Sequence, residues 1–465
     1  ASGGDTTDIQ SIDLATRTVR VVGHLGAPLA HAVAVAFDGT VWVLGGRASG
    51  SVTDAITRFD PATVTTAAAG HLPAPVRDSA IATVGGVAYV LGGETSAQTS
   101  AVVRIDPVTT TVTTAALHVY DHAGAKDLSA AVTSDPPRVY VPNSGSGTVS
   151  VIDPATFKVI DTFPTGDTPQ HVVPSYDLRT LWVNNNGGSL TPIDPRTSKP
   201  GASRKVSDPY NMYFTPDGRY MIVVAEAQHR LDFRNPTTLE VHDSVDVPCQ
   251  GVNHIDYAAD GAYFIATCEF DGKLIKVDTE SHKLLGTLTL AGPSGDPGAK
   301  SQPQDVRLTP AGVNFYVADM LGDGVHVIDG ASFTEVGFIK TGPGTHGVYP
   351  SRDGRLMYVT NRGTHSMSGA HHPPGSIAVV DPTKGRFGAV VDTWVIPGGG
   401  SPDMGNVTAD GTRFWVSGRY DSEVYCFDTT TGKLLARIPV GSGPHGLTVW
   451  PQPGRYSLGH TGNMR

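Results

Sequence analysis

The chain sets 34 basic against 44 acidic side chains in 465 residues, a net charge of -10. Without a stripe of Lys and Arg, that balance argues against nucleic acid as a partner. Gly (55) and Pro (34) are abundant while charged residues make up only 17%, so turns must be numerous. No apolar run reaches the ~18 residues of a membrane-spanning helix, so no transmembrane segment is expected. Three cysteines are too few for a disulfide framework and leave at least one thiol unpaired.

The chain opens on Ala1-Ser-Gly-Gly-Asp, the kind of end that removal of a secretory signal leaves. Strand material follows at once in Ile9-Gln-Ser-Ile-Asp13 and Thr18-Val-Arg-Val-Val22, joined by a turn. That turn is the first of a series: Asp13-Leu-Ala-Thr, Asp60-Pro-Ala-Thr, Asp106-Pro-Val-Thr, Asp153-Pro-Ala-Thr, Asp194-Pro-Arg-Thr, Asn235-Pro-Thr-Thr, Asp278-Thr-Glu-Ser, Asp329-Gly-Ala-Ser, Asp381-Pro-Thr-Lys and Asp428-Thr-Thr-Thr, 41 to 52 residues apart. Asp or Asn bonds back to the chain two residues on, and Pro presets φ. A repeat of this length is the mark of propeller blades. A second set of turns, Asp217-Gly218, Asp260-Gly261, Ala311-Gly312, Asp353-Gly354 and Asp410-Gly411, sits between short β-rich runs as hairpins require. Each interval therefore reads as one four-stranded antiparallel blade, with the Asp-centred turn between third and fourth strands. The chain ends on first-strand and second-strand material, His445-Gly-Leu-Thr-Val-Trp450 and Arg455-Tyr-Ser-Leu-Gly-His460, complementary to its beginning.

The repeats are of two kinds. Val41-Trp-Val-Leu-Gly-Gly46 and Ala88-Tyr-Val-Leu-Gly-Gly93 resemble kelch repeats, whose double glycine ends the second strand. From about residue 118 the motif becomes Arg138-Val-Tyr-Val-Pro-Asn143, Thr180-Leu-Trp-Val-Asn-Asn185, Asn314-Phe-Tyr-Val-Ala-Asp319 and Leu356-Met-Tyr-Val-Thr-Asn361, which resembles the YVTN-type β-propeller family. The resemblance implies a self-sufficient propeller of about seven blades over residues 118–465, of a family usually exported and sometimes credited with binding roles. Residues 1–117 are then kelch-like blades, part of another propeller. A single ten-bladed ring is the alternative. The resemblance and a Thr/Gly/Ser-rich, Lys-poor surface point to an extracytoplasmic, secreted or cell-surface protein.

In a propeller the first strand begins beside the central axis and the second ends on the same face, so residues at these two places meet around one funnel. Counting back from each hairpin turn gives Gln170 and His171, Tyr210 and Asn211, Asn253 and His254, Gln304 and Asp305, His346, Asp403 and Met404, and His445. The second-strand ends add Asn143, Asn185, Glu226, Cys268 and Glu269, Asp319, Asn361 and Arg362, Arg419, and His460. The candidate ligand-binding set is His171, Asn211, Glu226, His254, Asp305, Asp319, His346, Asn361, Asp403, Arg419 and His445. His171, His254, His346 and His445 are candidates to converge on a divalent or copper ion, with Asp305 completing the shell. A polar, water-filled funnel without an ion is the plainer reading of the same residues, and no cofactor is assigned.

Cys268 falls beside His254, open to three readings: a buried apolar residue, a soft-metal ligand, or a disulfide with Cys249 if the chain bends back. The turn centred on Asp260-Gly261 sets residue 268 opposite 253, with Cys249 further out than a disulfide tolerates without such a bend. Cys426 reads as a packed strand residue. His365, Met367, His371 and His372 form a short His/Met-rich tract in a long loop, a solvated excursion or a copper site. No Gly-x-Ser-x-Gly elbow, phosphate loop, His-Glu-x-x-His or Cys-x-x-Cys is present. The expectation is a binding or scaffolding module that holds a small molecule or protein at the funnel face. The alternative is a propeller lyase or hydrolase, metal-assisted or not, with one of the four histidines as general base and Arg419 as electrostatic partner.

Overall fold

A computed structural model describes residues 6–37, 39–84, 87–94, 102–106, 111–115, 120, 122–292, 300–366 and 372–465. Among them the only helix is the single 3-10 turn Glu269–Asp271; the rest of the regular structure is antiparallel strand. The Asp-centred turns form as the sequence dictates: the Oδ1 of Asp60, Asp153 and Asp194 accepts the N–H two residues on, at 2.8–2.9 Å. The hairpin glycines take the left-handed conformation, as at Gly218 (φ 70°).

The chain divides into two units, Ala1–Leu117 and His118–Arg465. Among the described residues the first holds three four-stranded sheets, around a core that includes Trp42, Leu44, Ile56, Ala88, Val90 and Ile105. The second holds seven sheets among the described residues. Six have inner strands Pro169–Pro174, Pro209–Phe214, Val252–Tyr257, Pro303–Leu308, Thr345–Pro350 and Pro402–Val407, and belong to the second to seventh sheets in chain order. The first sheet is composite: its inner strand Thr448–Trp450 comes from the C-terminal end and pairs with Arg138–Asn143. Each inner strand packs against the next, and Thr448–Trp450 packs against Pro169–Pro174. The seven sheets therefore form a closed ring within residues 118–465, as a β-propeller does.

Apolar clusters fill the wedges between neighbouring sheets. Tyr257, Phe264 and Phe233 pack between the third and fourth, and Tyr316, Val327 and Met357 between the fifth and sixth. Trp415, Val424 and Cys426 of the seventh meet Val139 and Ile152 of the first, so closure of the ring rests on burial as well as strand pairing. Inner strands are buried on both faces while fourth strands such as Val241–Asp246 are largely exposed. The sheets thus run radially, from a polar axis through an apolar wedge to a solvated rim.

After Trp450 the chain turns inward. Ser457–Gly459 adds to the axial edge of the third sheet, pairing Gly459 with Tyr213, and Asn463–Met464 pairs back on it. The residues of this tail from Ser457 to Arg465 are buried or nearly so. Leu458 and Met464 sit in wedge cores, and Asn463 Nδ2 and Arg465 Nη2 donate to Asp256 Oδ1 at 2.7 and 3.2 Å.

Candidate functional site at the axial mouth

All six inner strands from Pro169 to Val407 carry a β-bulge near their start, where one extra residue opposes the second strand: between Pro169 and His171, Pro209 and Asn211, Val252 and Ile255, Pro303 and Val306, Thr345 and Val348, and Pro402 and Gly405. A bulge frees a residue from the ladder and re-aims its side chain. Here it presents Gln170, Tyr210, Asn253 and His254, Gln304 and Asp305, His346, and Asp403 and Met404 near the axis. The run of polar residues found by counting back from the hairpins has this local cause.

The bulge also decides the cysteines. Turn-based register holds at Ile255 opposite Ala266, then slips by one so that Cys268 faces Val252. Gly251, at φ 70°, turns the chain back, and Cys249 and Cys268 form a disulfide with Cα atoms 5.9 Å apart. Neither the apolar nor the metal-ligand reading of Cys268 survives. Cys426 is a free, buried thiol whose titration burial pushes up to about 12.

A cavity of about 150 Å³ opens at the mouth, lined by residues that include Tyr210, Glu226, Glu269, Gln304, Arg362 and Arg419, with His346 and His445. Asp403, fully buried, organises its basic side. Arg362 Nε and Nη2 donate to Asp403 Oδ1 at 2.7 and 2.5 Å, His445 Nδ1 lies 2.5 Å from Oδ2, and His346 Nδ1 lies 3.1 Å from Oδ1. Burial works against that carboxylate's charge, but Arg362 and the neighbouring groups outweigh it and hold the pKa below the usual value. Arg419 Nη1 donates to Ser144 Oγ and Gly443 O at 3.2 and 3.4 Å. Among the described residues no carboxylate pairs with it.

On the acidic side, Glu269 accepts from Asn253 Nδ2 and Gln302 Nε2 at 2.9 and 2.8 Å. No basic group pairs with Glu226 among the described residues. Burial, with repulsion from Glu269 and Asp208, raises its carboxyl to about 8. Glu226 and Glu269 come from the third and fourth sheets, Arg362 and Arg419 from the sixth and seventh. In a ring of seven those pairs face each other across the axis.

The remaining candidates lie away from the cavity surface. His171 Nδ1 donates to Tyr210 O at 3.0 Å, Asn211 Nδ2 lies 3.2 Å from His254 Nδ1, and Asp305 accepts the N–H of Val306 and Val348, each at 3.0 Å. Burial drives His171 down to about 4 and holds His254, His346, His445 and His460 well below the usual imidazole range. Burial raises Asp305 to about 6, with Arg307 pulling the other way.

Asp319 and Asn361 do not line the cavity. Asp319 is taken up by His326 Nε2 and the N–H of Gln302, at 3.0 and 2.7 Å. Asn361 bonds Thr341, Thr345 and Ser376. The four histidines expected to converge form a chain of neighbouring rings, with His171 and His445 4.8 Å apart between centroids, and do not all share one partner. His346 and His445 share Asp403, whereas His171 and His254 group with His460 of the tail. In the His/Met-rich loop, His365 and His372 are described and pair with Asp323 and Asp421; Met367 and His371 lie outside the described residues. A buried knot of Asp256, Arg307, Asn463 and Arg465 escaped the sequence reading, since Asp256 and Arg307 lie within strands and Asn463 and Arg465 in a tail that carries no motif.

Residues 101–236 match a family profile described as a YNCE-like beta-propeller. No curated protein matches the chain. Among solved structures, a functionally unknown protein from Desulfotomaculum acetoxidans DSM 771 is 15% identical, with a TM-score of 0.54 over 66% of this chain and 98% of its own. A candidate 6-phosphogluconolactonase from Bacteroides uniformis ATCC 8492 is 16% identical, with a TM-score of 0.53 over 68% of this chain and 99% of its own. Another from Bacteroides fragilis NCTC 9343 is 17% identical, with a TM-score of 0.52 over 69% and 99%. At these identities the likeness carries the fold, an all-β propeller with YVTN-type repeats, and no chemistry.

Proposed function

We propose that the axial mouth binds a small dipolar molecule of amino-acid size, one cationic group facing Glu226 and Glu269 and one anionic group facing Arg419 and Arg362. The observation that carries this reading is that Glu226 and Arg419 each face the cavity without an ionic partner among the described residues, from opposite sides of the ring. A fixed guanidinium facing a buried carboxyl that gives up its proton when a cation docks favours a ligand that supplies both complements. The cavity, about 150 Å³, is smaller than the roughly 300–1,000 Å³ of sites for drug-sized ligands, which favours a small molecule over a protein loop.

The test is a thermal-shift and calorimetric screen of zwitterionic amino acids and betaines against the full chain, Glu226→Gln and Arg419→Gln. A zwitterion that stabilises the wild type and loses at least tenfold in affinity in each variant supports the reading. Equal affinity in Arg419→Gln, or no binding across the panel, refutes it.

A second reading, hydrolase or lyase action at the same mouth, is favoured by His445, held by Asp403 at 2.5 Å in the manner of a base oriented by a carboxylate. Turnover that vanishes in His445→Gln would select it.

The disulfide supports an exported protein, because such bonds persist in oxidising compartments; thiol trapping in intact cells tests this. The kelch-like reading of residues 1–117 is supported by Gly46 and Gly93, at φ 97° and 108°, where an added Cβ would press on Ala30 O and Arg77 O respectively.

A further inference from the structure

Behind the mouth, the inner strand of the second sheet, where His171 pairs with Asn184, and the bulge of the fourth bring His171 and His254 to the axis, and the C-terminal tail brings His460 between them. The three rings are buried, at 0%, 0% and 1% exposure. Their centroids are 4.5–5.7 Å apart, and one nitrogen from each falls within 4.8 Å of the others. His171 gives its Nδ1 proton to Tyr210 O, which fixes the tautomer and leaves the Nε2 lone pair inward. His171 Nε2, His254 Nε2 and both nitrogens of His460 have no hydrogen-bond partner among the described residues. Four unpaired polar atoms converging in one buried place are rare in native proteins and call for an explanation. Mutual hydrogen bonds do not supply it, since none joins the three rings.

We propose that His171, His254 and His460 bind one divalent first-row transition ion, zinc or copper, and that this ion clasps the C-terminal tail to the ring. Uncharged imidazoles suit these ions and not magnesium or calcium, which take oxygen. Bonds of about 2.0–2.1 Å need the rings to draw in from nitrogens up to 4.8 Å apart, and ligation through His254 Nε2 needs the Asn211 amide, now with Nδ2 3.2 Å from His254 Nδ1, to turn so that Nδ1 carries the proton. Asp305 supplies outer-shell charge: its Oδ1 lies 3.9 Å from His254 Nδ1 and 3.8 Å from His460 Nε2. Arg307 Nη2 stands 3.8 Å from Asp305 Oδ2, so the carboxylate is shared between a fixed cation and the proposed one. His445, 4.8 Å from His171 between ring centroids, keeps Nδ1 on Asp403 and stays outside the set. The site rests on the ring and the tail, not on a ligand at the mouth.

The experiment measures metal in full-length protein produced separately in zinc-supplemented and copper-supplemented medium and dialysed against a weak chelator. About one ion per chain is expected in the wild type and in Arg419→Gln, with at least a tenfold loss in His254→Gln and His460→Gln. Should those variants fail to fold by near-ultraviolet dichroism, electron paramagnetic resonance of the copper-loaded wild type still decides. Nitrogen hyperfine structure from imidazoles is expected, and an oxygen-only signal overturns the proposal. So does a metal-free wild type from both media, or a folded His460→Gln that keeps its ion. Because Arg419→Gln abolishes the mouth proposal's binding while sparing this site, the two can fail separately.

Discussion

Replacing Glu226 by Gln removes the one carboxyl at the mouth that burial holds protonated, and the consequence for stability has a definite sign. The unfolded chain loses this proton near the ordinary glutamate value of 4.5, whereas the folded protein keeps it until about 8. Between those pH values the folded state binds more protons than the unfolded state, so stability falls as pH rises, and the fall is complete above about 8. At about 1.4 kcal/mol per pH unit the span sets a ceiling near 5 kcal/mol. Glu226 keeps part of its surface in water, and screening reduces the expected loss to about 2 kcal/mol. For a folding unit of this size that is roughly 3 °C in Tm. Scanning calorimetry of wild type and Glu226→Gln at pH 5 and pH 8 reads it directly: the Tm of the wild type relative to the variant should drop by about that amount between the two conditions. The same proton must leave when a cationic ligand group docks, so affinity should rise with pH up to about 8. A difference in Tm between the two proteins that is equal at both pH values would show that Glu226 titrates normally, and the electrostatic account of the mouth would go with it.

Three further outcomes follow from the packing and the charge network. Cys249→Ala with Cys268→Ala opens a loop closed across a sequence separation of 19, and chain entropy puts the loss at about 3 kcal/mol, measurable by urea denaturation with and without reductant. Asp403→Asn leaves the guanidinium of Arg362, 2% exposed, without its counter-charge, and should cost about 3–5 kcal/mol; a midpoint unchanged in denaturant would contradict the network. Trp415→Ala empties the wedge that joins seventh and first sheets and should cost about 3–5 kcal/mol, read as a lowered calorimetric Tm of residues 118–465.

What the sequence made legible was whatever depends on neighbours in the chain. The Asx turns at Asp60, Asp153 and Asp194 bond within a few residues, so they mark the sheets without tertiary help. Counting back from the hairpins reached Tyr210, Gln304, His346 and Asp403 because the spacing from turn to axis is set by strand length. The bulge was not legible: it is a misfit between two strands, and it placed Cys268 opposite Val252 and allowed the disulfide. Asp319 and Asn361 end second strands as expected, yet side chains on neighbouring strands claim them. The tail was least legible, because Ser457–Gly459 is too short to carry an alternation and its partner Tyr213 lies more than 240 residues away.

The composition of that tail separates two roles for it. A segment that only filled the axis would gain most from apolar side chains, and Leu458 and Met464 do enter wedge cores. Its polar residues differ in their partners: Asn463 and Arg465 are matched by Asp256, whereas His460, equally buried, has neither ring nitrogen bonded. Burying an unpaired imidazole is less favourable than burying a leucine in the same space, so filling alone does not account for a histidine at 460. The same deficit recurs at His171 and His254, on two other sheets, and the three face one another. A partner common to all three, reached only when the tail is seated, removes the deficit at one stroke and makes closure of the axis and completion of the site the same event.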